Sequence, residues 1–233
     1  MIYLTGDTHG DFRRIKDFCD RFNTTKDDIM IILGDAGINF FGGIKDIKTK
    51  EYISTLPITL FCVHGNHERR PFTIMSYIEE EWNGGIVYME DIYPNILFAK
   101  DGEIYDLMGL KTMALGGAYS IDKDMRIEHG YGWWSDEQPS LEIRQFVDKQ
   151  LKDCKWDIDV FLSHTVPRKY EPTEVYLRGI DESKVDKSTE VWLDSIENKT
   201  HERYLHWYAG HFHIDKSVEK LQILFKSYEG WPV

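Results

Sequence analysis

Eight residues of this 233-residue chain stand out as a set able to hold divalent cations and move protons, and they fall in five short clusters. Asp7 and His9 lie in Gly6-Asp7-Thr8-His9-Gly10, and Asp35 follows Gly34. Asn66 and His67 belong to Gly65-Asn66-His67-Glu68. His164 follows Ser163, while His211 and His213 lie in Gly210-His211-Phe212-His213. A lone Asp-x-His or a lone loop histidine is more often a hydrogen-bonded structural residue. Five clusters rich in the same ligand types make one shared site the better explanation. Carboxylate, imidazole and carboxamide oxygen together suit Mn, Fe, Zn, Co or Ni. The set contains no cysteine, which argues against a structural zinc or iron–sulfur site. An all-oxygen calcium site would have no use for so many histidines. The ligands outnumber what one ion holds, so two divalent ions are expected.

Such a site needs elements that bring the clusters together. Ile2 to Thr5, Ile29 to Leu33 and Ile58 to Val63 read as buried strands. Between them, Asp11 to Phe22 has apolar Phe12, Ile15, Phe18, Cys19 and Phe22 at helical spacing, and Ile44 to Ser54 also reads as a helix. That β-α-β-α-β order implies parallel strands with helical crossovers. Gly84 to Gly117 carries short β-like runs separated by turn residues, expected to form antiparallel hairpins. Glu137 to Lys152 reads as a helix with Pro139 in its first turn. Val160 to Leu162 and Tyr204 to Ala209 read as two more buried strands, and Val218 to Tyr228 as a hairpin. All five clusters follow a strand, and ligands of open α/β sheets bind beyond the carboxyl ends of strands. Gly6, Gly34, Gly65 and Gly210 are expected to let the backbone turn sharply there.

Composition sets the outer limits. With 42% hydrophobic residues the chain can bury a sizeable core, and without repeats or a linker one domain over 1–233 is expected. The formal net charge of -12 disfavours a broad contact with long duplex nucleic acid. A locally positive site is still allowed, because bound metal ions outweigh nearby carboxylates. Cys19, Cys62 and Cys154 are far apart and odd in number, and read as free thiols of a reducing compartment. No apolar run reaches the roughly 18 residues of a membrane span, and the start has no basic leader. A cytoplasmic protein with no membrane partner is the expectation.

Taken in order, the five clusters resemble the motifs of the calcineurin-like metallophosphoesterase superfamily, over residues 6 to 213. The resemblance implies a four-layer α/β/β/α sandwich of two mixed β-sheets flanked by helices. It implies that Asp7, His9 and His213 hold one ion, that Asn66, His164 and His211 hold the other, and that Asp35 bridges them. It makes His67 the general acid or transition-state stabiliser rather than a ligand. A second role for His67, a hydrogen bond to Asp35 or Asp7, is compatible with this. Two M²⁺ ions less Asp7, Asp35 and a bridging hydroxide leave a site near +1, which favours a phosphate anion. Ions about 3.5–4 Å apart can activate that water and polarise the phosphoryl oxygens.

The expected activity is metal-dependent hydrolysis of small phosphate monoesters or diesters, phosphatase or phosphodiesterase, with manganese as the first choice of metal. The alternatives are a nuclease or nucleotide phosphodiesterase on the same site, and a non-catalytic scaffold. A scaffold would be expected to lose ligands or the acid histidine, and none is missing. Protein Ser/Thr phosphatases of the superfamily extend Gly-Asp with Asp-Arg-Gly and place Arg before Gly-Asn-His-Glu. Here Ala36-Gly37-Ile38-Asn39 and His64 stand in those places, which weighs against phosphoprotein substrates. Arg69 and Arg70, directly after Gly65-Asn66-His67-Glu68, read as surface salt-bridging residues, with replacement of the missing phosphate-clamping arginines as the alternative. His129, His201, His206 and Cys62 read as structural or solvated. The Gly116 to Ser140 stretch, with Tyr119, Arg126, Trp133 and Trp134, reads as an aromatic lid or base-stacking platform, or as a loop pinned by tryptophan.

Overall fold

A computed structural model describes residues 1–176 and 181–232. The first half forms β1 (Ile2–Thr5), α1 (Arg13–Phe22), β2 (Ile29–Ile32), α2 (Ile44–Ser54), β3 (Thr59–Cys62), β4 (Ile78–Trp82), β5 (Gly85–Met89) and β6 (Ile96–Ala99). The second half forms β7 (Ile104–Leu107), β8 (Leu110–Leu115), α3 (Lys123–His129), α4 (Leu141–Asp153), β9 (Val160–Ser163), α5 (Ser188–Thr200), β10 (His206–Ala209), β11 (Lys216–Val218), β12 (Leu221–Ile223) and β13 (Tyr228–Gly230).

Strand alternation builds three apolar layers. Met30, Ile32, Leu60 and Cys62 point one way, against Ile15 and Phe18 of α1 and Ile53 of α2. Their neighbours Ile31, Leu33, Phe61 and Val63 point the other way, and meet Ala114, Val160, Leu162 and Tyr208 of a second sheet. Phe161, Trp207 and Ala209 face outward again, onto Val147 and Leu151 of α4 and Leu193 and Ile196 of α5. Residues buried on both faces of a strand read as unbroken apolar runs, as parallel strands between helices do. The result is helix, sheet, sheet, helix, the four-layer sandwich expected.

The first sheet runs β13-β1-β2-β3-β6-β5-β4 and the second β11-β12-β10-β9-β8-β7. β1, β2, β3 and β6 are mutually parallel, and so are β8, β9, β10 and β12. Two expectations hold only in part. The middle strands do pair antiparallel, β4 with β5, β5 with β6 and β7 with β8, but these pairs are divided between the two sheets. β6 lies parallel to β3, and the chain then crosses to the second sheet, where β7 and β8 form the hairpin. The C-terminal stretch is likewise split. β11 and β12 pair with each other, whereas β13 returns to the first sheet beside β1. Apolar alternation marks a strand but not its neighbour, so neither crossing could be read from it. Pro139 also lies outside α4, which starts after Ser140, whose hydroxyl accepts the Ile143 N–H as an N-cap. No helix among the described residues is long and apolar enough to cross a membrane.

Candidate metal centre

The carboxyl ends of the two parallel blocks meet, and cross-sheet hydrogen bonds lock the seam. His164, after β9, sets its Nδ1 2.9 Å from the Leu33 carbonyl oxygen after β2. His211, after β10, donates its backbone N–H to Asp7 Oδ1, after β1, at 2.9 Å. Gly117, after β8, donates to the His64 carbonyl, after β3, at 2.8 Å. Asp35 Oδ1 accepts the His67 N–H at 2.8 Å. Arg14 of α1 donates to the carbonyls of Gly6 and Asp7, both at 2.9 Å, and so fixes the peptide that carries Asp7. Nothing in the sequence marks Arg14 for that task.

The glycine expectation holds in only one place. Gly34 has φ +94°, while Gly6, Gly65 and Gly210 are not left-handed. Those positions exclude a side chain by close approach: a Cβ on Gly65 would lie 2.0 Å from Asp35 Oδ1, and one on Gly210 2.4 Å from Asp7 Oδ1. The left-handed turns fall on the candidate ligands instead. His9, Asp35, His211 and His213 have φ of 47°, 47°, 71° and 52°. Such backbone costs about 1–3 kcal/mol per non-glycine residue and persists only where surroundings enforce it. Here the His9 N–H bond to the Asp35 carbonyl, 2.8 Å, is part of that enforcement.

Two ligand clusters result. Asp7, His9 and His213 place their ligand atoms within 4.8 Å of one another, as do Asp7, Asp35 and His164. His9 Nε2 and His213 Nε2 are 2.8 Å apart, and His213 Nε2 is 3.1 Å from Asp7 Oδ2. Asn66 Oδ1 is 2.7 Å from His164 Nε2, which lies 3.6 Å from Asp35 Oδ2. The Asn66 amide donates its Nδ2 to Ser120 Oγ at 2.8 Å, so its oxygen is the atom turned to His164. With Nδ1–H given to Leu33, His164 Nε2 presents a lone pair to a second lone pair. A metal ion shared between the two atoms would satisfy both, as would a turned Asn66 amide with the Ser120 hydroxyl donating to its oxygen. Metal–ligand bonds of about 2.0–2.2 Å place neighbouring ligand atoms about 3 Å apart, which matches these separations. The donor set therefore fits divalent ions.

His211 fits less directly. Its ring lies 5.0 Å from that of His164, and its closest bond to the group is through its backbone. The ring of His67 bonds to neither Asp35 nor Asp7, and its buried Nδ1 has no partner among the described residues. His67 borders two cavities, one of 560 Å³ with Asp35, Asn66, Tyr119 and His213, the other of 380 Å³ with His9, Phe40 and Arg126.

The electrostatics separate these groups. Burial opposes the charge on Asp7, yet the His213 hydrogen bond and the charges of His164 and His9 hold its pKa below the usual value. That same bond raises His213. Burial drives His211 well below 6.5, keeping it neutral. Burial lowers His67 too, with Arg126 acting the same way and Asp35 and Asp122 opposing. Glu68, fully buried, accepts the N–H groups of Gly65 and Gly37 at 3.1 and 3.2 Å. Burial and the Asp35 charge push Glu68 up to about 8. It secures the loop rather than reaching the ligand atoms.

The arginine expectation is corrected for one of the pair. Arg70 is not a surface residue: it is buried, its Nη1 2.5 Å from Asp101 Oδ2, and its Nε donates to the Asp136 carbonyl. Arg69 donates to the Thr73 carbonyl. A pair of adjacent arginines gives no sequence signal of which one turns inward. Arg126 is ion-paired with Asp122 at 2.7 Å beside His67. His129, His201 and His206 sit away from the centre, on Met125, Glu197 and Tyr208.

The fold has known counterparts. The crystal structure of TT1561 of Thermus thermophilus superposes with a TM-score of 0.51, covering 96% of this chain and 87% of that one at 12% identity. Relatives in sequence are lariat debranching enzymes. That of Drosophila pseudoobscura pseudoobscura is 23% identical over 243 residues, covering 91% of this chain and 42% of its own length. That of Schizosaccharomyces pombe is 28% identical over 164 residues, covering 70% of this chain and 31% of its own length. The chain thus spans less than half the length of these relatives. The sequence profile of the calcineurin-like phosphoesterases matches residues 1–215, and the chain belongs to that family.

Proposed function

We propose that this chain hydrolyses small phosphate monoesters or diesters with two divalent metal ions, manganese first among them. Asp7, His9 and His213 would hold one ion, Asn66, His164 and His211 the other, and Asp35 both. The observation that carries the reading is the 2.7 Å approach of Asn66 Oδ1 to His164 Nε2, two ligand-type atoms placed to share an ion. Bound ions of this kind supply Lewis acidity toward phosphoryl oxygens and lower the pKa of a water. The chain's own residues do the rest. The Leu33 carbonyl and Ser120 hold the His164 and Asn66 ligand atoms in place. His67 stands at the junction of two cavities with a ring nitrogen uncommitted, placed to give a proton to a leaving alkoxide. An anionic ester beside that ring favours its protonated form against the effect of burial.

We read residues 1–233 as one domain, supported by β13 closing the sheet that β1 begins. The free thiols Cys19 and Cys62 favour a cytoplasmic setting. A second reading, nuclease or nucleotide phosphodiesterase, is favoured by a cleft where Phe40, Phe41, Trp133 and Trp134 stand with Arg69 and Arg126. The lariat debranching relatives make branched nucleic acid one substrate to include. A panel of mono- and diesters assayed with Mn²⁺, Ni²⁺, Zn²⁺ and Mg²⁺ tests the proposal. Chelated protein should be inactive and regain turnover with at least one metal. Full metal loading with no hydrolysis of any ester would leave the non-catalytic scaffold.

A further inference from the structure

The 560 Å³ cavity beside Asp35 and His67 is walled in large part by apolar side chains, among them Ile121, Val175, Phe212 and Ile214. Glu190 borders it too. An acidic residue in the first turn of a helix ordinarily sits in water, near the free N–H groups. Glu190, in the first turn of α5, is instead 4% exposed. Its Oε1 accepts from Thr165 Oγ1 at 2.9 Å, and its Oε2 has no partner among the described residues. A glutamine would serve Thr165 as well, so the fold itself makes no use of the second oxygen. A buried acceptor left unmet is costly, and such groups call for a partner that binds.

The neighbouring charges indicate which partner. Lys187 borders the cavity and is engaged by Glu171 and by the Tyr176 hydroxyl. Asp122 is paired with Arg126, and Asp186 accepts from Gln138 and the Ser188 N–H. Among the described residues that line the cavity, Asp122, Asp186 and Glu190 stand with one lysine, while Arg126 offsets Asp122 and Arg144 acts on Asp186 from beyond the lining, so Glu190 is an acid left with an unmet oxygen. Burial, with the nearby Glu171 charge adding to it, pushes the Glu190 carboxyl up to about 7, and a cation brought alongside would favour its ionised form. The cavity thus combines a phosphate-attracting mouth, apolar walls and an acidic acceptor.

We propose that Glu190 selects the organic arm of the substrate, receiving an ammonium group at the end of an apolar chain whose phosphoester lies at His67. This rests on the phosphoesterase reading. Two measurements separate the claims. The first compares ω-aminoalkyl phosphates of increasing length with the matching n-alkyl phosphates on metal-loaded protein. The best aminoalkyl ester should be preferred by about tenfold in kcat/KM, the scale of one charge-assisted hydrogen bond. Glu190→Gln should bring that ratio close to one. Ile121→Lys, at a 45% exposed cavity position that tolerates substitution, should lower it by placing a like charge in the path. The second measurement titrates hexylammonium into the metal-free chain by calorimetry, where wild type should bind more tightly than Glu190→Gln. Ester hydrolysis with no amine preference, equal in wild type and both variants, overturns the Glu190 subsite and leaves the phosphoesterase. Glu190-dependent binding of hexylammonium by a chain that hydrolyses no ester overturns the phosphoesterase and leaves an amine site.

Discussion

His213 and Glu190 border the same cavity, yet they are placed by different means. His213 comes a few residues after a central parallel strand, beside strands fixed on both sides by hydrogen-bonded neighbours. Its backbone is held left-handed at φ 52°, and its ring meets Asp7 across the seam between the sheets. Glu190 comes from the helix α5, and many of its described neighbours in the cavity come from connecting segments. The group at the strand ends is positioned by register, which side-chain changes elsewhere hardly disturb. The cavity walls are positioned by loops, which can change without altering the sheets. Chemistry and selectivity should therefore fail separately.

Removing the proposed bridge should give the largest effect. Asp35→Asn keeps the shape of the side chain but removes its charge and turns an NH₂ group toward His67 N–H or His164. Both ions should be lost together, and turnover should fall further than for any of the substitutions that follow. Elemental analysis of the purified variant checks this. One ion kept at full occupancy while the other is absent would show that Asp35 serves a single site.

His67→Ala should come next. It removes a group that contacts no ligand atom, so metal content should stay at the wild-type level. kcat should fall by roughly 10²–10⁴-fold if His67 supplies the proton. The loss should be steeper for alkyl than for p-nitrophenyl esters, because an alkoxide leaves poorly without protonation. Equal losses across leaving groups would reassign His67 to binding.

The same division explains what could be read in advance. The gathering of Asp7, His9, Asp35, Asn66, His164, His211 and His213 in one region could be expected because each lies within a few residues of the end of an apolar run. Sequence adjacency to a strand becomes spatial adjacency once the sheets form. Parallel strands with helical crossovers were legible from the buried apolar runs, and the four layers were implied by the resemblance of the clusters. The crossing from β6 to β7 was not, because pairing partners leave no mark on the alternation within a strand. The left-handed backbone at His9, Asp35, His211 and His213 was also hidden. Glycines are the usual sign of such turns, and at Gly65 and Gly210 they serve close approach instead. Glu190 and Arg14 were missed because an acidic or basic residue on an amphipathic helix normally faces water. Only the packed neighbours, Thr165 for one and the carbonyls of Gly6 and Asp7 for the other, show that these do not.

The smallest effect is expected at the aromatic cleft, and the two tryptophans should behave differently. Trp133 is tied down: its Nε1 donates to Glu137 Oε2 at 2.8 Å, and Lys123 lies 4.6 Å from its ring centre. Trp134 makes an edge contact with Phe40 at 5.8 Å, and among the described residues its ring nitrogen has no hydrogen bond like that of Trp133. Phe40 in turn borders the 380 Å³ cavity that contains His9 and His67. A base or aromatic arm extending from the ester could stack on that Phe40–Trp134 pair, and stacking is worth about 1–3 kcal/mol per base. Trp134→Ala should therefore reduce kcat/KM for a nucleotide-like or aromatic diester by about tenfold, and hardly change a small alkyl ester. Trp133→Ala should instead lower the melting temperature of the chain and affect all substrates alike. Steady-state kinetics on the two ester classes, together with thermal melts of both variants, distinguishes the roles. A Trp134 variant that is folded, fully metallated and unchanged toward every aromatic ester would remove the cleft from substrate choice, leaving selectivity to the Glu190 side alone.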